Sequence, residues 1–413
     1  MHMTKANVVI GANFGDEGKG LMTDYLSSQA DIVIRFNGGA QAGHTVQDPQ
    51  GRRHIFSHFG AGTLRGKETF LSQHFVVNPI VFRREREELL KLGIEPVVFV
   101  DPACSITTPY DIMINRMIEQ KRGDGRHGSV GLGFGETVGR NLKGSYRLTV
   151  LDLGNADFSF RQLNRIKRHW FSERLDNLGL SHHDPSTFTD IMSDDTLVAF
   201  LQDLIYFRAN TMIADAPTAC RGKKVLFEGA QGLMLDQVAG HFPFVTRSNT
   251  GLRNAIDVAA EIGIKELNAV YVTRSYMTRH GAGPLEGELE GTRFPHIVDP
   301  TNKPNAWQGK LRFAPLDIRE TAKFILGDLE DAGQYPTRVT HELAVTCCDQ
   351  IPKEKALAKA QLLADLIKAD DGYLSFGPTR NDVVIKDFDY HRADRSGYSR
   401  ADEEWFFGMD GRP

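Results

Sequence analysis

Short apolar runs recur along the chain, separated by polar turns and by stretches in which apolar and charged positions follow helical spacing. Val8-Val9-Ile10 reads as a short buried strand that leads into a glycine turn and a helix over 21–26. Further strands are expected at 32–36, 75–77, 97–100, 224–227, 269–273 and 343–346, and helices at 80–92, 317–328 and 353–368. In the helix at 80–92, a Glu-Arg-Glu-Glu-Leu-Leu pattern gives a charged face and an apolar edge, and Gly93 stops it. Strands alternating with helices argue for an α/β fold, a large and mostly parallel sheet with helical cover and nucleotide-binding loops at strand carboxyl ends. With no internal repeat or low-complexity linker, residues 1–413 read as a single elaborated domain.

Composition narrows the function classes. The 413 residues are 41% hydrophobic and 9% aromatic, enough for a large core. A formal charge of −4, from 49 basic and 53 acidic residues interspersed, gives neither a nucleic-acid footprint nor a polybasic membrane patch, so an anionic ligand must be held locally. Cys104, Cys220, Cys347 and Cys348 suit neither a disulfide framework nor a zinc site, which points to a reducing compartment. No apolar run approaches the roughly 18 residues of a membrane span. The expectation is a cytoplasmic protein without signal peptide, membrane anchor or nucleic-acid partner.

The first glycine turn carries candidate chemistry. Gly11-Ala12-Asn13-Phe14-Gly15-Asp16-Glu17-Gly18-Lys19-Gly20 joins a strand to a helix, a layout that brings backbone N–H groups, a helix N-terminus and a lysine to phosphate oxygens. A Walker A loop would have glycine where Asn13 stands and a hydroxyl where Gly20 stands, so its usual magnesium ligand is missing. Asp16, inside the turn, can instead hold a metal or take a proton. The segment Gly38-Gly39-Ala40-Gln41-Ala42-Gly43-His44-Thr45 follows the strand at 32–36, so a histidine is expected at the carboxyl end of a neighbouring strand, facing the same crevice.

These two motifs together resemble the signature pair of the adenylosuccinate synthetases. Phe227-Glu228-Gly229-Ala230-Gln231-Gly232, with Leu235-Asp236 and residues 243–250, is similar to that family's central block, and Thr278-Arg279-His280-Gly281-Ala282-Gly283-Pro284 to another. The resemblance implies a GTP-dependent ligase that joins L-aspartate to C6 of a 6-oxopurine monophosphate such as IMP, through a 6-phosphoryl intermediate. It implies Asp16 as the base for the purine N1 proton, His44 and Lys19 on the phosphates, and Mg2+ held by Asp16 and the Gly43 carbonyl. Gly15, Glu17, Gly18, Gly20 and Thr45 are then nucleotide contacts, Gln41 lies near the monophosphate, Gln231 presents its amide to the base or a carbonyl oxygen, and Thr246 binds phosphate.

The glycine-dense stretch from 121 to 140 reads as a functional loop. By the resemblance, Ser129 contacts the monophosphate, and Arg140 crosses a homodimer interface to complete the partner's site. The chain departs from the family at several points. Thr346-Cys347-Cys348-Asp349 keeps the aspartate that reads guanine but not the preceding lysine. Lys310 and Arg312 stand in the loop expected to bind aspartate, Lys310 replacing an arginine. Gln41 replaces the usual asparagine, and residues 375–383, including the nucleotide-binding candidates Gly377 and Pro378, look closer to bacteriophage synthetases that act on dGMP. A dGMP acceptor is therefore the alternative within the family. A nucleotide-binding regulator without ligase activity is the alternative outside it, against which Gln231, Thr246 and the separate Arg312 loop argue. His182-His183-Asp184 and the rest of 152–215 are given no role.

Overall fold

The computed structural model describes residues 4–180, 190–289, 297 and 309–388. At the middle of the sheet is β1 (Lys5–Gly11), whose Val8, Val9 and Ile10 are fully buried. The two-residue period of a strand sends Val8 and Ile10 into one apolar layer and Val9 into the layer opposite. A strand covered on both faces is a continuous apolar run, as expected of a parallel sheet.

The chain continues through α1 (Lys19–Leu26), β2 (Ile32–Arg35), the hairpin β3 (His44–Gln47) and β4 (Arg53–Phe56), β5 (Glu68–Leu71), β6 (Val76–Val77) and α2 (Pro79–Lys91). Next come β7 (Val98–Val100), β8 (Ser105–Ile106), α3 (Pro109–Arg122), α4 (Phe134–Asn141), α5 (Ala156–Arg165), α6 (Phe171–Asn177) and α7 (Asp194–Ala209). They lead to β9 (Met212–Ile213), α8 (Ala216–Ala219), β10 (Val225–Glu228), α9 (Arg253–Glu261), β11 (Glu266–Arg274) and β12 (Tyr276–Arg279). The last described part holds β13 (Arg312–Pro315), α10 (Ile318–Ala332), β14 (Arg338–Thr346), α11 (Lys353–Ile367), β15 (Asp371–Ser375) and β16 (Val383–Asp387).

Ten strands form one sheet in the order β16-β15-β14-β11-β1-β10-β2-β5-β7-β9. Every pairing in it is parallel except β15 with β16. This is the α/β architecture expected from the sequence. Helices α9, α10 and α11 bury Ile256, Ile325 and Leu363 in the layer of Val8 and Ile10, while α1 buries Leu21 and Met22 with Val9. A further cluster around Phe82, Tyr110, Leu163, Phe171 and Phe207 lies among α2, α3, α5, α6 and α7.

Two expectations are corrected here. The stretch from 121 to 140 is irregular only between α3 and α4. Gly135 and Gly139 are helical, and a Cβ on Gly139 would come within 2.6 Å of the Arg247 guanidinium, which would have to shift to admit it. Strand β10 lies between β1 and β2, so the His44 segment does not follow the immediate neighbour of β1. His182 and His183, and the tail after Phe388, fall outside the described residues.

Buried ionic contacts hold the segment that follows β4. Glu85 of α2 accepts the backbone N–H groups of Ser57 at 2.9 Å, His58 at 2.7 Å and Phe59 at 3.3 Å. His58 and His54 stand 3.4 Å and 3.8 Å from its carboxylate. Burial alone would raise the Glu85 pKa, but the adjacent His54 and His58 rings and the donated backbone N–H groups bring it down to about 2. A folded-state pKa below the unfolded value stabilises the fold by roughly 3 kcal/mol at neutral pH, fully above pH ~4.5 and decreasingly as the pH falls toward ~2. Denaturant unfolding between pH 6 and 2.5 should therefore show Glu85→Gln less stable than wild type at pH 6 but with a flatter acid limb. Parallel acid limbs would show that Glu85 is not the group responsible.

Candidate active site

Beyond β1 the backbone turns through Gly15 at φ 116° and Gly18 at φ 92°, conformations open to glycine, before α1 begins at Lys19. The N–H groups of Asn13 and Gly15 donate to Oε1 of Glu17 at 3.1 and 2.6 Å. Glu17 Oε2 accepts from Lys19 Nζ at 3.1 Å, and the same ammonium donates to the Gly15 carbonyl at 2.6 Å. Two amides and an ammonium thus surround one carboxylate, making an anion nest occupied by the loop's own Glu17. Asn13 fixes the loop from beneath: Nδ2 donates to Thr321 Oγ1 at 2.7 Å, and Oδ1 accepts from Thr273 Oγ1 at 2.6 Å. Thr346 Oγ1 donates to the Glu17 carbonyl at 2.7 Å, and Arg274 Nε donates to the Asp16 carbonyl.

Asp16 lines a cleft of about 660 Å³ together with Gly15, Gln41, Gly43, His44, Ser129, Gln231 and Thr246. Eight of the sequence-derived candidates therefore share one cavity. His44 Nδ1 is 2.6 Å from Glu228 Oε1. Burial pushes the His44 imidazole down to about 4, against the bond to Glu228, and the charges of Arg35 and Lys19 add to the lowering, so the ring is neutral at pH 7. His44 Nε2, Gln41 Nε2 and Gln231 Oε1 are buried with no hydrogen-bond partner among the described residues. Gln231 Nε2 donates to Thr246 Oγ1 at 2.9 Å. Buried polar atoms are costly to leave unmade, so their concentration on one cleft marks it as a binding surface. Asp16 and the Gly43 carbonyl offer hard oxygen donors on this cleft. One carboxylate and one carbonyl suit Mg2+, which retains water and substrate phosphate oxygens rather than an all-protein cage.

The opposite wall comes from the glycine-rich loop. Ser129 Oγ donates to Asn115 Oδ1 at 2.9 Å, and Gly133 N to the same oxygen at 3.2 Å. This loop meets the turn after β12 backbone to backbone. A Cβ on Gly128 would lie 2.5 Å from Gly281 Cα, and both glycines have positive φ. Arg279 holds that turn through the Ala282 carbonyl at 3.1 Å and the Pro284 carbonyl at 2.7 Å, with its guanidinium 4.2 Å from the Phe14 ring centroid. Burial, aided by Arg312, lowers its pKa to about 10.

Other candidates lie outside the cleft wall. Lys19 and Glu17 are buried beneath it. Gly18 approaches Thr346, and a Cβ on Gly20 would lie 2.6 Å from the Thr45 carbonyl, so α1 packs on the His44 segment. The Cys348 N–H donates to the Ser375 carbonyl at 2.9 Å, which brings the Asp349 turn beside Gly377 and Pro378. Lys310 is exposed. Arg312 pairs through both Nε and Nη2 with Glu288, and its Nη1 donates to the Gly281 and Gly283 carbonyls, each at 2.9 Å. Arg140 does not extend outward as expected. It is fully buried, bonded to Asp111 at 2.9 Å, Asn141 at 2.9 Å, and the carbonyls of Tyr146 and Ile106 at 2.7 Å each. Its donors are engaged within its own chain.

Sequence reasoning gave no role to Asn115, Arg174, Arg247, Arg279 or His280, all of which line the cleft. Arg279 and His280 belong to the Thr278–Pro284 motif and Arg247 to the block at 243–250, so their positions were legible. Asn115 lies on an ordinary amphipathic helix, and Arg174, paired with Glu136 at 2.8 and 3.0 Å, in a stretch without signature residues.

The family model described as adenylosuccinate synthetase matches residues 8–313. An adenylosuccinate synthetase of Borrelia turicatae is 33% identical over 287 residues, covering 68% of this chain. The match spans 64% of the Borrelia protein, a little under two thirds of its length. One from Clostridium perfringens is 34% identical over 294 residues, covering 69% of this chain and 66% of that protein. Among solved structures, fully ligated adenylosuccinate synthetase from Plasmodium falciparum superposes with a TM-score of 0.72 at 19% identity, covering 92% of this chain and 99% of that one. The succinoaminodeoxyadenylate synthetase of cyanophage S-2L, bound to dGMP and dATP, gives 0.60 at 17% identity, covering 92% and 95%. At those identities the structural likeness concerns the fold.

The contact between Gly128 and Gly281 is open to a direct test. Gly128→Ala forces a Cβ into backbone at a positive φ, and overpacking of this kind costs about 1–3 kcal/mol. Its melting temperature should fall, and calorimetry should show weaker nucleotide binding. Unchanged binding would mean that this contact does not shape the cleft.

Proposed function

This chain belongs to the adenylosuccinate synthetase family, and from that membership and the cleft we propose that it is a GTP-dependent carbon–nitrogen ligase of purine nucleotide biosynthesis. The acceptor is a 6-oxopurine nucleoside monophosphate, with IMP the first assignment, and the amine donor is L-aspartate. The observation that carries the reading is a carboxylate, Asp16, facing the same cavity as Gln231 and Thr246 while its own loop forms an anion nest with Lys19. A simple nucleotide switch has no use for the Gln231–Thr246 pair.

In the proposed reaction Asp16 accepts the N1 proton of the base, and the purine O6 attacks the γ-phosphorus as GDP leaves. The aspartate amine then forms a bond to C6, and the 6-phosphate departs with the O6 oxygen. Lys19 and His44 hold the phosphates, and Gly15, Glu17, Gly18, Gly20 and Thr45 line the nucleotide path. Gln41, Ser129, Gln231 and Thr246 hold the acceptor. Phosphoryl transfer is achieved mainly by such positioning and charge stabilisation. Asp16 and the Gly43 carbonyl would hold Mg2+, which supplies positive charge at the phosphate oxygens when bound. Asp349, Gly377 and Pro378 are assigned to guanine. Arg312 and Lys310 are assigned to the carboxylates of the donor. This assignment rests on the family membership; Arg312 is paired with Glu288 here, and a donor carboxylate would have to displace that partner.

The reading includes a cytoplasmic homodimer. The continuous ten-stranded sheet supports treating the chain as one elaborated domain, and exposed Leu142 and Leu151 offer apolar contact surface. Arg140 is left out of the shared-site assignment. Among the described residues no helix is long and apolar enough to cross a membrane.

Three measurements check the proposal. Phosphate release with GTP and L-aspartate should be stimulated by a 6-oxopurine monophosphate, and comparing IMP, GMP and dGMP identifies the acceptor. Asp16→Asn should cost at least ~10²–10⁴-fold in turnover, as expected for a lost general base. Near-wild-type turnover by that variant would remove Asp16 from the mechanism. In the same assay GTP should outperform ATP, and Asp349→Asn should narrow the difference because a charged acceptor for the guanine edge is lost. Equal use of both nucleotides by the wild type would show that Asp349 does not read the base.

A further inference from the structure

The most heavily buried charges near the cleft lie behind His44. Glu228, the last residue of β10, has no exposed surface, and neither does Arg35, the last residue of β2. The two are register partners on adjacent parallel strands. Burial works to raise the Glu228 pKa, but the charge of Arg35 and the bond to His44 hold it below the ordinary carboxylate value, so it is ionised. An ionised carboxylate only accepts hydrogen bonds. Glu228 spends one oxygen on the Ala61 N–H at 2.9 Å and the other on His44 Nδ1 at 2.6 Å. Nδ1 must therefore carry hydrogen, which leaves Nε2 as the nitrogen presented to the cleft, where it is buried without a protein partner.

We propose that Glu228 is a positioning residue that fixes the orientation and tautomer of His44, with the Ala61 N–H holding its second oxygen. The inference rests on the functional reading above only for its effect on turnover. The same geometry holds whether Nε2 is bare or protonated, because Nδ1–H stays on Glu228 in both charge states. A glutamine at this position has one acceptor oxygen and one NH2 group for two incoming N–H donors. If its oxygen stays with Ala61, its NH2 faces Nδ1, which must then give up hydrogen to become an acceptor. The neutral ring is driven into the other tautomer, with hydrogen on Nε2. If the amide flips, the Ala61 N–H loses its acceptor, a buried loss that anchors the first orientation.

The test combines spectroscopy and kinetics. In protein labelled with 15N-histidine, with His44 assigned by the loss of its signals in His44→Ala, wild type should show Nδ1 protonated and Nε2 unprotonated. Glu228→Gln should shift His44 to the other tautomer or a mixture, while Glu228→Asp keeps the carboxylate and the wild-type pattern. In the ligase assay Glu228→Gln should lower kcat by at least ~10²-fold with a smaller change in KM, the range of a misdirected acid–base group. It should cost little more in the His44→Ala background, because its effect passes through the imidazole. An unchanged His44 tautomer in Glu228→Gln, or an equal cost of that substitution with and without His44, overturns the proposal. If Glu228→Gln does not fold, the wild-type spectrum still decides: hydrogen on Nε2 with a bare Nδ1 overturns the proposal. A wild type with no aspartate-dependent turnover would count against the ligase reading alone, since the tautomer is read without activity.

Discussion

The site depends on the close backbone approach at Gly11. Strand β1 ends there, and the volume a Cβ would fill is already taken by the Glu17 carboxylate, the Gln231 carbonyl, which would lie 2.6 Å away, and Lys19 Nζ, which would lie 2.8 Å away. Two loops that descend from different strands therefore meet at one point of the main chain. The contact continues beside it, where Gly15 packs on the Gln231 backbone and Gly232 on the Asn13 carbonyl. Backbone against backbone leaves little rotamer freedom, so the relative position of the anion nest and the Gln231 amide is fixed by the sheet. The parallel sheet makes this possible, because it delivers the ends of β1, β10, β11, β14 and β2 to one edge.

Charge is handled inside the protein. The nest holds the carboxylate of Glu17 and the ammonium of Lys19, so its amides and cation are already organised around an anion. Any anion that enters must redistribute those contacts, and the energetic consequence is a differential one, since hydrogen bonds exchanged for hydrogen bonds cost little. Arg35 and Glu228 beneath His44 follow the same rule: buried charges are tolerated when they compensate one another, and their value lies in orientation more than in stability. Arg279 and Arg312 serve the turn after β12 in a related way, each guanidinium gathering carbonyls that would otherwise point into the interior.

How far a motif can be read depends on whether its chemistry is local. Gly15 to Gly20 and Gln41 to Thr45 were legible because each motif is a continuous stretch whose glycines and polar side chains act within a few residues. Arg140 was misread for the opposite reason. Its sequence surroundings suggest an exposed loop arginine, but Asp111 and Ile106 come from elsewhere in the fold and, with the nearby Tyr146 carbonyl, bury it completely. Gly135 and Gly139 misled in the same direction, since glycine density suggests a loop, yet both lie in α4 with the Arg247 side chain against them.

The sequence by itself determined the α/β class, the strands with two buried faces, and the glycine turn and histidine segment that share the cleft. Two-residue and helical periodicities and glycine at positive φ are properties of a few consecutive residues. The order of strands was decided only by the tertiary structure. It inserts β10 between β1 and β2 and so sets Glu228 behind His44 across 184 residues of chain. The same holds for the pairing of Gly128 with Gly281, the entry of Asn115 and Arg174 into the cleft, and the engagement of Arg312 by Glu288. Each is a contact between distant segments, and its energy depends on burial and on partners that no local pattern encodes.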